Sequence, residues 1–212
     1  MSTQSGSRAD ARPAQVLVWD APVRVFHALM VVSFAGAYLT AESERWRLVH
    51  VTLGYTMAGL VAFRLLWGWV GTRHARFASF VRGPRAVLAY VRGLVGGHAE
   101  PVAGHNPAGA LAIMALLTLA VVVTAAGWAN FNDIGGKAFE ELHEGAANTM
   151  LALVGLHVAG VLIGSWAHRE NLVVAMITGR KRARAEEAIP DAWRSLAALM
   201  HAAVLAFWWL QA

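Results

Sequence analysis

Four of the nine histidines, His27, His50, His143 and His157, lie within or at the edge of long apolar segments. An imidazole is costly to place in hydrocarbon and needs a partner there, so each marks a functional position. His143 and His157 are fourteen residues apart. At about 3.6 residues per turn this is nearly four whole turns, so both rings share one helix face, roughly 21 Å apart along it. Such a face offers two ligands at two depths, the arrangement that suits two metal-centred planar cofactors stacked across a bilayer. Haem iron held by a histidine on each side has no open position, so the chemistry is electron transfer and not oxygen binding. Zinc is the competing use of histidine, but two pairs roughly 21 Å apart do not converge on one ion, and no carboxylate lies in the spans to complete a tetrahedron. The same lack of acidic residues makes a proton relay a poor reading.

The elements that must position these rings are legible in the hydropathy. The chain has 212 residues, 57% of them hydrophobic and 15% charged, and its mean hydropathy is +0.47. About 20 apolar residues cross a hydrocarbon core roughly 30 Å thick. Four segments qualify, Ala21–Thr40, Leu48–Val70, Ala108–Trp128 and Ala146–Trp166, and a fifth, Trp193–Leu210, is shorter and ends in Trp208 and Trp209. A helix lying along the membrane surface is the other reading of this fifth segment. Residues 1–15 read as a disordered tail, residues 16–182 as one membrane domain, and residues 183–212 as a linker with a C-terminal helix. The first apolar segment leads into further spans with no small-residue cleavage site, so it reads as a retained helix. Pro84–Val95 has an apolar face opposite Arg85 and Arg92, the pattern of a short amphipathic surface helix.

The net charge of +5 does not point to nucleic acid, because the arginines cluster at the ends of apolar segments. Fourteen arginines and lysines fall on one side of the spans and three on the other, with Arg64 inside a span and uncounted. The positive-inside rule therefore places the N-terminus in the cytoplasm. Depth then pairs the histidines. His27 opens the outward first helix and His157 lies late in the inward fourth, so both are on the cytoplasmic side. His50 opens the inward second helix and His143 precedes the apolar run of the fourth, so both are on the outer side.

Arg64 follows His50 by fourteen residues, which sets it on the same face at the depth of the inner pair. It is a candidate partner for a haem propionate, with snorkelling to headgroups as the plain alternative. Gly54, one turn after His50, and Gly160 and Gly164, after His157, admit close approach of a porphyrin or of a neighbouring helix. His74, His98 and His105 fall in cytoplasmic loops. His168 sits at the inner interface, with a quinone-site role as its functional reading. His201 has no partner at its depth. The absence of cysteine excludes disulfides, covalent haem attachment and cysteine-held iron–sulfur clusters.

The stretch from Val18 to His27, Val-Trp-Asp-Ala-Pro-Val-Arg-Val-Phe-His, resembles the start of bacterial cytochrome b561-type proteins. So do Val49 to Tyr55, Arg64 to Gly68, Gly104-His105-Asn106-Pro107, Leu142-His143-Glu144, Leu156-His157 and the run from His168 to Arg182. The resemblance covers roughly Val16 to Arg182. It implies an all-α four-helix transmembrane bundle binding two b haems through His27, His50, His143 and His157, in the bacterial inner membrane. It also implies exchange with the quinone pool, either alone or as the cytochrome subunit of a nickel–iron hydrogenase. The leading expectation is an electron conduit between quinone and a periplasmic partner, such as a c-type cytochrome or a small reductant like superoxide. A haem-free membrane adaptor is the alternative from a different class.

Overall fold

The computed structural model describes residues 14–98 and 102–211. A short strand, β1 (Ala14–Leu17), precedes α1 (Ala21–Thr40) and α2 (Arg47–Val70). Two short helices follow, α3 (Phe77–Phe80) and α4 (Pro84–Val95), and then the long pair α5 (Pro107–Phe131) and α6 (Lys137–Ala167). The chain closes with α7 (Leu172–Thr178), strand β2 (Arg180–Ala183) and α8 (Arg194–Gln211). Of these, α1, α2, α5 and α6 are long and apolar enough to cross a membrane. They form two antiparallel hairpins, α1–α2 and α5–α6, joined where α2 meets α5.

Each hairpin enters through the same local chemistry. Asp20 caps α1 by accepting the Val23 N–H at 2.8 Å, and Asn106 caps α5 by accepting the Gly109 N–H at 2.7 Å. Pro22 and Pro107 occupy the first turns, where the lost N–H has no helical partner anyway. The interior is apolar: Phe34, Met57, Val61, Ala120, Val123, Ala146 and Met150 form the central cluster. The exterior is apolar too, with Leu39 83%, Trp69 78% and Trp166 84% exposed. A belt of large apolar side chains facing outward around four spanning helices makes this a multi-pass membrane protein in contact with lipid.

The end at which α1 begins carries β1, β2, α3, α4, α7 and most of the arginines; it is called the basic end here. The Asp20 carboxylate, 1% exposed, is its central knot. Besides capping α1 it accepts the Trp67 indole N–H at 3.0 Å and the Thr72 hydroxyl at 2.6 Å, tying the start of α1 to the end of α2. β1 pairs antiparallel with β2, and Gly179 between α7 and β2 holds φ at 80°. A side chain at Gly179 would strain that left-handed turn and meet the Trp19 carbonyl at 2.7 Å. That contact is needed, because the Val18 and Trp19 N–H groups both donate to the Gly179 carbonyl.

The first helix matches its sequence reading, and α2 and α5 extend theirs by a few residues at most. α6 begins nine residues before the expected Ala146, because Lys137–Gly145 is too polar to register as a span. The acidic stretch from Asp133 to Glu144 is therefore mostly helix. Of the tail expected over residues 1–15, residues 1–13 lie outside the described part, and Ala14 and Gln15 are the first residues of β1. The C-terminal helix does not lie across the membrane surface. Trp193 packs on Trp67 with ring centroids 5.4 Å apart, and Trp208 donates its indole N–H to the Thr56 hydroxyl at 2.9 Å. α8 thus climbs the flank of the bundle antiparallel to α2. With 18 residues it reaches about 27 Å and is shorter than the four spanning helices.

Asp20→Ala should lower stability by on the order of 3 kcal/mol, since it removes a cap and strands two buried donors. Thr72→Val, which deletes one of those bonds, should cost about 1 kcal/mol. Thermal unfolding in detergent checks the order, and equal costs for the two variants would remove Asp20 from its central place.

Candidate cofactor site

At the end opposite the basic one, His50 on α2 and His143 on α6 face each other with ring centroids 6.0 Å apart and planes at 82°. Each ring is held by its own hairpin. His50 Nδ1 lies 2.8 Å from the Ala37 carbonyl oxygen of α1, and His143 Nδ1 lies 2.9 Å from the Val123 carbonyl oxygen of α5. A carbonyl oxygen only accepts, so Nδ1 carries the proton and Nε2 keeps a free lone pair. This is the second-shell arrangement of metal-ligating histidines. Imidazole nitrogens about 2 Å from a shared metal put the two ring centroids about 6 Å apart, the separation found.

The His143 ring depends on Gly127. A Cβ there would meet His143 Cε1 and Nδ1 at 2.8 Å each. Gly127 lies one turn after Val123, so its bare backbone is the gap through which the ring reaches that carbonyl. The sequence reading missed Gly127 and named Gly54, Gly160 and Gly164 instead. Cβ atoms at Gly54 and Gly160 would meet nothing within 4 Å, whereas Gly164 packs against Leu172. Only the hairpin relation to His143 would have drawn attention to Gly127.

The basic-end pair is looser. His27 of α1 and His157 of α6 are both half-buried and lie within electrostatic reach of each other. The fourteen-residue offset puts His157 roughly 21 Å below His143 on the same helix. Two positions, each with one histidine from each hairpin, are therefore stacked along the bundle. Among the described residues no three or more His, Cys, Asp or Glu side chains gather as an ion site; the histidines meet in twos.

Arg64 does not snorkel. It is 3% exposed, donates Nη2 to the Ala75 carbonyl at 3.0 Å, and packs over the Phe77 ring at 4.9 Å. Its Nη1 is buried without a partner among the described residues. An unmatched guanidinium N–H near the lower histidine pair fits a site that receives a negatively charged group, so the residues present suit a haem with its carboxylates.

Three of the histidines read as ordinary loop or interface residues have specific surroundings. His105 lies between Trp19 and Phe80, with ring centroids 4.5 Å away on either side. Burial holds its pKa down at about 3, with Arg64, Lys181, His74 and His157 adding positive neighbours, so the ring is neutral at physiological pH. His74 is buried and donates Nε2–H to the Glu187 carbonyl at 2.7 Å. His168 bonds the Tyr90 hydroxyl at 3.1 Å. His98 and His201 are exposed. Lys181 is 6% exposed and donates to the Val102 carbonyl at 2.7 Å. Burial draws its ammonium below the usual range despite Glu170 and Glu187 nearby.

Residues 18–179 match the family described as prokaryotic cytochrome b561. Over 225 aligned residues the chain is 26% identical to a probable Ni/Fe-hydrogenase B-type cytochrome subunit of Bradyrhizobium diazoefficiens, with 85% of this chain and 91% of that protein covered. No solved structure matches the chain.

Gly127→Val should push the His143 ring off the Val123 carbonyl and abolish metal-centre binding at that end, while Gly59→Val, where a Cβ meets nothing within 4 Å, should leave it intact. Haem content of the purified variants tests this. Full haem retention in Gly127→Val would show that the ring does not need the gap.

Proposed function

This chain belongs to the prokaryotic cytochrome b561 family, and on that premise we propose that it holds two b haems and carries electrons across the inner membrane between an outer reductant and quinone. The family implies b-type haem; two centres follow from the two stacked histidine pairs. The facing of His50 and His143, with both Nδ1 atoms committed to backbone carbonyls, is the observation that carries the reading. Haem held by these histidines would supply a one-electron carrier that needs no substrate coordination.

The chain's own residues do the rest. His50 and His143 present Nε2 lone pairs, and the Nδ1 bonds raise their basicity and fix their planes. His27 and His157 serve the second centre, Arg64 the negative charge of its carboxylates, and Gly54 the close approach beside His50. Phe34, Met57, Val61, Val123 and Met150 keep water out between the two levels.

With the basic end in the cytoplasm, as the distribution of arginines favours, the His50–His143 centre lies near the periplasm. Asp133, Glu140, Glu141 and Glu144 border that face and suit a basic partner such as a c-type cytochrome. Arg45 and Arg47 are engaged with the rings of Trp46 and Phe131, and with Lys137 they offer positive charge to a small anion such as superoxide. At the basic end a cavity of about 360 Å³ is lined by Leu94, Gly97, Trp166, Ala167, His168 and Arg169. A wall of mixed polar and apolar character, with one imidazole itself bonded to Tyr90, suits a quinone headgroup. The relative named as a hydrogenase cytochrome subunit favours a second reading, in which the outer reductant is a hydrogenase-like complex bound to this face.

The purified protein should carry close to two haems per chain with a low-spin bis-imidazole spectrum. His27→Ala and His157→Ala should each remove the same haem, and His50→Ala and His143→Ala the other, in reduced-minus-oxidised spectra. Loss of one common haem from His27→Ala and His143→Ala would overturn the pairing, and a colourless protein would overturn the function. Co-purification with a hydrogenase large subunit would select the second reading over the standalone one.

A further inference from the structure

The Arg64 Nη1 and the His105 Nδ1 are both buried at the basic end with no partner among the described residues. Arg24 Nε at the same end is unmatched as well, while the other polar groups around them are paired. The Asp20 oxygens are taken by Val23, Trp67 and Thr72, His74 Nε2 by Glu187, and Lys181 by Val102 and Glu170. Arg64 lies within electrostatic reach of His105, which in its Nδ1–H tautomer offers a second donor, and packed rings run between the two residues. The Arg64 guanidinium lies over Phe77, Phe77 is 5.9 Å from Phe80, and Phe80 is 4.5 Å from His105. The Trp19 ring also packs on His105, at 4.5 Å between centroids. Buried donors left unmatched are costly, and a pair of them in a positively charged surrounding calls for an anionic acceptor. His157 is within electrostatic reach of His105, so that acceptor sits beside the lower histidine pair.

We propose that His105 and Arg64 together hold one carboxylate of the haem bound by His27 and His157, with Arg64 supplying the charge and His105, through Nδ1–H, the second hydrogen bond. The proposal rests on the two-haem reading above. It makes His105 a positioning residue that tunes one centre: a carboxylate met by a cation and a donor exerts less negative potential on the iron, which favours the reduced state.

Redox titration of the full-length protein in nanodiscs tests it. His105→Leu should lower the midpoint potential of the haem that is lost in His157→Ala and leave the other unchanged. His105→Gln, which keeps a donor, should stay close to the wild type. Arg64→Gln should lower the same potential, and the double variant should lower it by less than the sum of the single shifts, since both donors serve one group. Unchanged potentials in His105→Leu, an equal fall in His105→Gln, or a shift of both haems would overturn the proposal. If His105→Leu does not retain haem, His105→Gln decides: haem and potential kept supports the assignment, and either one lost refutes it. An effect confined to nanodiscs of anionic phospholipid would give the donors to a lipid phosphate instead and would also overturn it. A wild-type protein with fewer than two haems would fail the two-haem reading before any variant is compared.

Discussion

An imidazole inside a bilayer has no water to satisfy its second nitrogen, and this constraint shapes the bundle. His50 and His143 meet it in the same way, by donating Nδ1–H to a carbonyl on the preceding helix of their own hairpin. Each bond does three things. It removes an unsatisfied donor from hydrocarbon, sets the hairpin's register, and turns Nε2 toward the space between hairpins. Ring orientation and helix packing are thus one interaction, and the close approach at Gly127 is a consequence of it. At Gly36 the α1–α2 hairpin is equally tight, since a Cβ there would meet Leu53 Cδ1 at 2.6 Å.

The basic end solves a different problem. There α1, α2 and the C-terminal segment come together where the chain leaves the membrane, and the polar groups are buried by neighbouring loops. Asp20 collects two side-chain donors and a backbone N–H, β1 pairs with β2, and the Ala21 N–H donates to the Ala192 carbonyl. These contacts join residues far apart in sequence and close the bundle beneath the lower histidine pair. The result is a small polar interior beside an apolar one, in which buried cationic groups gather around very few free acceptors. Such a place favours the charged periphery of a cofactor, while the apolar interior above it favours the macrocycle.

α6 works as a ruler. Its 31 residues extend about 46 Å, well beyond a hydrocarbon core of roughly 30 Å. It therefore carries both His143 and His157 at fixed separation. α6 packs chiefly on α5 and turns Leu156, Leu162, Ile163 and Trp166 outward. The helix that carries one histidine to each level thus also forms much of the lipid-facing wall.

The sequence by itself determined the four spanning helices, because hydropathy over twenty residues is a local property that the bilayer reads directly. It also determined which histidines share a helix face, because the 3.6-residue repeat is fixed by backbone geometry. Tertiary structure alone decided that α8 climbs the flank of the bundle, since its docking rests on Trp208 and Thr56, distant in sequence. It alone decided that β1 finds β2, that Gly127 makes room for His143, and that Arg64 Nη1 and His105 Nδ1 are buried unmatched. Each of these depends on which surfaces meet after the hairpins assemble, and no repeat along the chain encodes such a meeting.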